Sequence, residues 1–331
     1  MLPLLPEPER AAVMRKLGSV LELVGQWDEA SELYVQGLQL AQKHHNQQEE
    51  AWCEAAQAEL LRKRGRFEEA TKHLEAARLT FEKLEDESGV AQAYHSAGTL
   101  AAQQGQYEKA RGLYEQSLGL RRELDQPAFI AALLSNLAII ARFQGDLDGS
   151  RRLNEEALEI RRQVGDRRTI ANSLNNLGNA VRNLGDLAKA REYLEEALQL
   201  QREVGDRWAI ANSLNNLGNV VRDQSDFATA RQFYVESLTI NHEFGDGRAI
   251  AYVLEDMAAL AAAQNEAGRA LQLVGAAQTL RKEIGTPLSA VEQSQLDGRL
   301  TAVLNHAEAN TYLTQGQQRS LAEAIEFALS E

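Results

Sequence analysis

The sequence predicts an all-α chain of seven stacked helical hairpins with a helical cap at its C-terminal end. Three observations lead to this prediction: proline is nearly absent, glycine recurs at a fixed interval, and apolar residues follow helical spacing. Of five prolines, only Pro127 and Pro287 lie beyond residue 8. Because proline interrupts helices, a chain that avoids it and uses Ala, Leu, Glu, Gln and Arg heavily is typical of helical proteins.

Glycine recurs every forty residues in three columns, and such a period is the signature of a repeat protein. The first column contains Gly25, Gly65, Gly105, Gly145 and Gly185 and continues with Ser225 and Asn265. The second contains Gly165, Gly205, Gly245 and Gly285, and the third contains Gly18, Gly98, Gly178 and Gly218. The columns together indicate seven units, from about residue 9 to residue 285.

Each unit has the pattern of two amphipathic helices. In the fifth unit, Leu174, Leu177 and Val181 form one apolar stripe, and a second stripe follows Gly185. The third glycine column falls in the middle of the first helix, where the missing side chain lets a neighbouring helix approach closely. One such hairpin cannot bury its own apolar face, so the units are expected to stack into a solenoid.

The segments outside the units are interpreted as a leader and a cap. Residues 1–8 carry the remaining prolines and precede the first unit. Residues 286–331 leave the forty-residue period, and their Ser289/Glu292 and Ser320/Glu323 pairs have the spacing of capping boxes. Gly316 is expected to separate two helical stretches. A solenoid needs an end whose outer face tolerates water, so this segment is predicted to be that end.

The units resemble the tetratricopeptide repeat. The fifth unit matches the family pattern of bulky and small residues at Leu174, Leu177, Gly178, Val181, Ala190, Leu194 and Ala197. The period of forty differs from the usual ~34, and the proline near the end of each unit is missing. The resemblance implies a right-handed superhelical solenoid of helix-turn-helix units whose first helices line a concave groove.

A second resemblance concerns residues 269–287 and 320–328. These segments look like the C-terminal ends of large bacterial signal-responsive regulators. That resemblance implies that the chain is the sensor or scaffold portion of a longer protein.

The register of the family places polar residues of the first helices in the groove. In the fifth and sixth units these residues recur at helical offsets that share one face, opposite the apolar stripe. The candidate peptide-binding residues are His95, Asn136, Arg142, Asn172, Asn175, Asn176, Asn179, Arg182, Asn212, Asn215, Asn216, Asn219 and Arg222.

Asparagine and arginine in this arrangement favour binding of an extended peptide. An asparagine amide offers both donors and an acceptor, so it can pair with the N–H and C=O groups of a peptide backbone. Arginines once per unit, at Arg142, Arg182 and Arg222, favour an acidic or carboxylate-bearing segment. The predicted function is therefore a non-catalytic module that binds a protein or peptide.

Two alternatives remain open. Residues 170–179 and 210–219 are identical, so the asparagines of the sixth unit can be copies inherited by duplication, and neighbouring amides can pair with each other and only stiffen the stack. The exposed faces of the stack can also serve self-assembly into homo-oligomers.

Net charge, the motifs present and the cysteine content exclude several classes of function. The net charge of −13 and the pI near 5.1 argue against nucleic acid as a partner. No membrane span and no motif of a hydrolase, nucleotide-binding loop or metal site is recognisable, so no enzyme activity, metal or cofactor is expected. The lone Cys53 excludes an internal disulfide, fits a cytoplasmic protein and is predicted to be buried.

A second arginine column, on the second helices, is expected to be a solvated face. Its members are Arg111, Arg151, Arg191 and Arg231. The first three have a glutamate four residues later, which is the spacing of exposed helical ion pairs.

Overall fold

The computed structural model describes residues 6–330, and the regular secondary structure in that range consists of seventeen α-helices. The first four units contain α1 (Glu7–Leu23), α2 (Trp27–Lys43), α3 (Gln47–Lys63), α4 (Phe67–Lys83), α5 (Glu87–Gln103), α6 (Tyr107–Glu123), α7 (Pro127–Phe143) and α8 (Leu147–Val164). The next three contain α9 (Arg167–Asn183), α10 (Leu187–Val204), α11 (Arg207–Asp223), α12 (Phe227–Phe244), α13 (Gly247–Ala263) and α14 (Ala267–Glu283). The predicted all-α class with paired helices is confirmed. None of the described helices has the length and apolarity needed to cross a bilayer.

The chain divides into two compact units, residues 6–160 and 161–330. In the N-terminal unit, Ala110, Tyr114, Leu133 and Leu137 belong to one of several small apolar clusters between successive helices. In the C-terminal unit, one large cluster extends from Val221 in α11 to Ala328 near the C-terminal end of the described chain. Of the predicted leader, residues 1–5 lie outside the described residues, and α1 begins at Glu7.

The turns between helices contain a residue in the left-handed backbone region. Glycines of the first two columns occupy it, for example Gly105 with φ 72° and Gly165 with φ 84°. The second column also extends backwards to residues that the glycine pattern did not reveal. His45, Glu85 and Asp125 take the same conformation with φ between 50° and 56°. The turn geometry is thus conserved along the chain even where glycine is not.

The third glycine column marks close contacts between the two helices of a unit, as predicted. A Cβ atom on Gly98 would lie 2.7 Å from Cδ1 of Tyr114, and one on Gly218 would lie 2.5 Å from Cε1 of Tyr234. Both tyrosines are buried. A methyl group at these positions would therefore displace a packed aromatic ring.

The C-terminal segment that the sequence predicts to be the cap contains α15 (Ala290–Leu304), α16 (Ala309–Gln317) and α17 (Leu321–Leu329). Both capping boxes form, with Ser289 and Ser320 each exchanging hydrogen bonds with the residue three positions on. The expectation for Gly316 is wrong, because this residue lies inside α16. A Cβ atom there would lie 2.0 Å from the carbonyl oxygen of Gln272 in α14, so the glycine permits a close helix crossing and does not end a helix.

The second arginine column is an exposed ion-pair face for three of its four members. Arg111, Arg151 and Arg191 bond to the glutamates four residues on, at 3.0, 2.8 and 2.7 Å. Arg231 instead donates to the carbonyl oxygens of Leu329 and Ser330, at 3.0 and 2.6 Å. It thereby stabilises the C-terminal end of α17, where the helix dipole favours a positive charge.

Cys53 is buried, as predicted, with no exposed surface. Burial is the main reason why the pKa of its thiol rises to about 12, and the carboxylate of Glu49 adds to the effect. The thiol is therefore protonated at neutral pH and acts as a small apolar core group.

Gly98→Ala is expected to lower the free energy of unfolding by about 1–3 kcal/mol, because the added methyl group overpacks the contact with Tyr114. Gly112→Ala is the matched control, because no atom beyond the adjoining residues and backbone of its own helix lies within 4 Å of a Cβ there. That change is expected to raise the free energy of unfolding by about 1 kcal/mol through helix propensity alone. Urea denaturation followed by circular dichroism measures both. Equal effects of the two substitutions would contradict the close-contact explanation.

Candidate functional site

The first helices of successive forty-residue repeats contact one another. This holds for α1, α3 and α5 in the N-terminal compact unit and for α9, α11 and α13 in the C-terminal one. In α9 and α11, apolar residues such as Leu174 and Leu214 are buried. The asparagines follow the opposite side of each helix, where Asn175 and Asn219 are also buried, at 8% and 5% exposed, because the next first helix covers them. We use the name asparagine face for the surface of these two helices that carries Asn172, Asn175, Asn176, Asn179, Asn212, Asn215, Asn216 and Asn219. N-terminal caps by Asp206 and Asp166 start the two helices and thereby fix the register of this face.

Some asparagines connect α9 to α11. The Asn175 side-chain oxygen accepts hydrogen bonds from the Ser213 hydroxyl and from the Asn216 amide, both at 3.0 Å. The same Asn216 amide lies 3.3 Å from the side-chain oxygen of Asn212. Pairing between units, one of the alternatives left open by the sequence, is therefore real for these residues.

Asp256 in α13 anchors two further asparagines. Its Oδ2 atom accepts from the amides of Asn215 and Asn219, at 2.8 and 2.9 Å, while Oδ1 accepts from Arg299 at 2.5 Å. Burial opposes ionisation of Asp256, but the charges of Arg299 and Arg222 outweigh it and lower the pKa. Sequence reasoning did not identify Asp256, although it stands forty residues after Asn216 and continues the column of Asn136 and Asn176.

The arginine column is not uniform. Arg222 is only 7% exposed and lies 2.8 Å from Asp223 and 3.8 Å from Asp256. Its guanidinium therefore stabilises the protein and is not presented to a ligand. Arg182 is more accessible and pairs with Asp223 at 2.7 Å. Arg142, in the N-terminal unit, lies over the ring of Phe143 at 4.6 Å from its centroid.

Three asparagines of α9 remain available. Asn172 is exposed, and Asn176 and Asn179 are half-buried. Among the described residues, no side chain bonds to the amides of these three, unlike those of Asn175 and Asn216. An unpaired amide at a partly covered surface retains two donors and an acceptor for a ligand.

The structure brings His95 and Asn136 together in the N-terminal unit. The Asn136 amide nitrogen lies 2.9 Å from Nε2 of His95, which accepts in the neutral form of the ring. Burial is the main cause that lowers the pKa of His95, and the positive charge of Arg121 adds to it. The His95 ring thus favours the neutral state, and its Nε2 atom is already engaged by the Asn136 amide. No group of three or more His, Cys, Asp or Glu side chains in the described part of the chain could hold a metal ion.

Tetratricopeptide repeat profiles match residues 13–44, 48–123, 129–204 and 210–243. The matched segments follow the helical hairpins described above. The chain belongs to the tetratricopeptide repeat family. A comparison with curated protein sequences finds no match.

Solved structures of other tetratricopeptide repeat proteins are similar in fold. BtubC from P. vanneervenii is 21% identical, with a TM-score of 0.52 over 68% of this chain and 92% of that one. A Rap protein complexed with competence and sporulation factor is 13% identical, with a TM-score of 0.64 over 94% and 89%. A signal transduction ATPase from Pyrococcus horikoshii with a tetratricopeptide repeat sensor is 15% identical, with a TM-score of 0.63 over 93% of this chain and 47% of that one. At these identities the similarity concerns the fold alone.

The pKa direction of His95 predicts a pH dependence of stability. As the pH falls through the ordinary histidine pKa of about 6.5, the His95 side chain of the unfolded chain takes up a proton. In the folded state the lowered pKa keeps the ring neutral to a lower pH. The free energy of unfolding therefore decreases as the pH falls. His95→Gln removes this contribution, and its denaturation midpoint is expected to change less than that of the wild type between about pH 7.5 and 5. His242→Gln, at an exposed histidine of α12, is the control. Identical pH profiles for wild type and His95→Gln would contradict the assignment.

Proposed function

We propose that this tetratricopeptide repeat protein is a non-catalytic module that binds an extended protein or peptide segment on its asparagine face. The observation that carries the proposal is the set of three unpaired amides on α9, Asn172, Asn176 and Asn179. Such amides can bond to the N–H and C=O groups of an extended backbone without reading its side chains. On the second helices, by contrast, Arg111, Arg151 and Arg191 are already paired with glutamates.

The rest of the asparagine face supports the proposal because it holds the three amides in place. Asn175 is bonded to Ser213 and Asn216, and Asp256 is bonded to Asn215 and Asn219. These bonds order the side chains around the available amides before a ligand arrives. A preordered surface loses less conformational entropy on binding, which favours affinity.

Arg182 gives the proposed ligand its chemical class. It is half-buried on the same helix as the available amides, and among residues 6–330 its carboxylate partner is the partly exposed Asp223. A guanidinium has five donors in a fork, so Arg182 can engage a ligand carboxylate in addition to Asp223. We therefore propose a carboxylate-bearing segment as the ligand, with Arg182 and not the buried Arg222 as the contact.

We further propose that the chain is the sensor or scaffold part of a bacterial regulator. The support is the similarity in fold to a signal transduction ATPase with a tetratricopeptide repeat sensor, of whose chain it covers 47%. The similarity to a Rap protein complexed with competence and sporulation factor points in the same direction.

The double substitution Asn176→Ala/Asn179→Ala tests the docking surface. Random nine-residue peptides displayed on phage are selected on the full chain, and the selected peptides are measured by calorimetry. Loss of two hydrogen bonds of about 1 kcal/mol each is expected to weaken binding roughly thirtyfold. Asn310→Ala, which removes an exposed amide of α16, is expected to leave the affinity unchanged. Peptides that bind the double variant as tightly as the wild type would contradict the proposal.

Self-assembly is the second candidate function, and one observation favours it. On α1, Val13, Leu17 and Val20 form a stripe that is 37%, 41% and 54% exposed. Leu60 and Leu260 occupy the same position of the forty-residue unit as Val20. They are only 3% and 4% exposed, because another helix covers this position there. A second copy of the chain is the proposed cover for α1 in this alternative.

Light scattering coupled to size-exclusion chromatography tests the self-assembly candidate. If two chains associate through α1, the wild type forms a dimer whose fraction rises with concentration, and Leu17→Glu is a monomer. Leu79→Glu, at an exposed leucine of α4, is the control and stays dimeric. A wild type that is monomeric at every concentration would contradict this candidate.

A further inference from the structure

A cavity of about 400 Å³ lies in the C-terminal unit between the end of α14 and the start of α15. This volume falls within the ~300–1,000 Å³ of sites that bind small organic groups. Ten residues line it: Glu255, Val274, Gln278, Arg281, Lys282, Gly285, Pro287, Leu288, Gln293 and Leu296. None of the candidate residues on the asparagine face is among them.

The inner part of the cavity is apolar and firmly held. Val274 and Leu296 are 3% and 2% exposed, and Leu288 is half-buried beside them. Glu255 and Arg281 form a bidentate ion pair at 2.6 and 2.9 Å, and both are at least 95% buried. Arg281 also lies over the ring of Tyr252, 4.2 Å from its centroid. The pair contributes no net charge, so this part of the cavity suits an apolar group.

The rim of the cavity carries one uncompensated positive charge. Lys282 is exposed, and no carboxylate of the described residues pairs with its ammonium group. The Lys282 ammonium group therefore offers a donor for an anion beside the apolar inner part of the cavity.

We propose that this cavity is a binding site for a carboxylate attached to a short apolar body. The apolar body packs against Val274, Leu288 and Leu296, and the carboxylate stays at the rim beside Lys282. Two sources share this chemistry: a free medium-chain alkanoic acid, and the C-terminal residue of a peptide with an aliphatic side chain. The proposal does not depend on the asparagine face, since the two surfaces use different residues.

Calorimetric titration of the full chain with octanoate, N-acetylleucine, 1-octanol and octylammonium tests the proposal. The two carboxylates are expected to bind at one saturable site per chain, at least tenfold more tightly than the alcohol and the cation. Tighter binding of N-acetylleucine supports a peptide C-terminus as the ligand, and tighter binding of octanoate supports a free alkanoic acid.

Lys282→Glu tests the role of the ammonium group at the rim. Lys109→Glu, at an exposed lysine of α6, changes the net charge equally and is the control. Lys282→Glu is expected to weaken both carboxylates at least tenfold, whereas Lys109→Glu leaves them unchanged. Leu288→Trp, which fills the cavity, is expected to abolish binding and keeps the test decisive if the charge variant folds poorly. The proposal is overturned if neither carboxylate saturates, if octylammonium binds as well, or if the two lysine variants behave alike.

Discussion

The packing of this protein depends on one contact that recurs in four of its seven hairpins. Near the middle of the first helix, a residue without a side chain meets a bulky side chain of the second helix. Gly98 meets Tyr114, Gly178 meets Leu194 and Gly218 meets Tyr234. Because the contact falls at the same position of the forty-residue unit, it fixes which side of these first helices is buried. The opposite side is then free to carry polar residues.

The polar residues on that side have two roles that depend on what lies next to them. Asn215 and Asn219 face the buried carboxylate of Asp256, and Asn175 faces Ser213 of the following first helix. An unpaired buried polar group costs about 1–3 kcal/mol, so these amides stabilise the stack through their bonds. Within the described part of the chain, Asn172, Asn176 and Asn179 have no such partner; Asn172 is exposed and the other two are half-buried. The same asparagine pattern thus forms hydrogen bonds between helices in one place and leaves amides available in another.

Periodic features of the fold were predictable from the sequence because they depend on local chemistry. The helical hairpins, the glycine turns and the two capping boxes follow from residue type and spacing alone. The left-handed residues His45 and Glu85 were missed because their side chains give no sign of that conformation. Gly316 was misread because a glycine at a helix crossing and a glycine at a helix end look the same in a sequence.

The candidate site was predictable only as a set of positions. Arg182 and Arg222 occupy the same position of adjacent units, yet Arg222 is buried against Asp223 and Asp256. Asp256 and Arg299 belong to different elements, so their ion pair depends on the packing of the cap against α13. Which amides are engaged and which are available is likewise decided by distances between helices and not by the pattern within one helix.

The division of the asparagine face into engaged and available amides is the central claim, and side-chain amide exchange measured by nuclear magnetic resonance tests it most directly. The Nδ2 protons of Asn215 and Asn219 are expected to be protected from solvent exchange by Asp256. Those of Asn172, Asn176 and Asn179 are expected to exchange at rates close to an exposed amide such as that of Asn310. Equal protection across all of these residues would contradict the account.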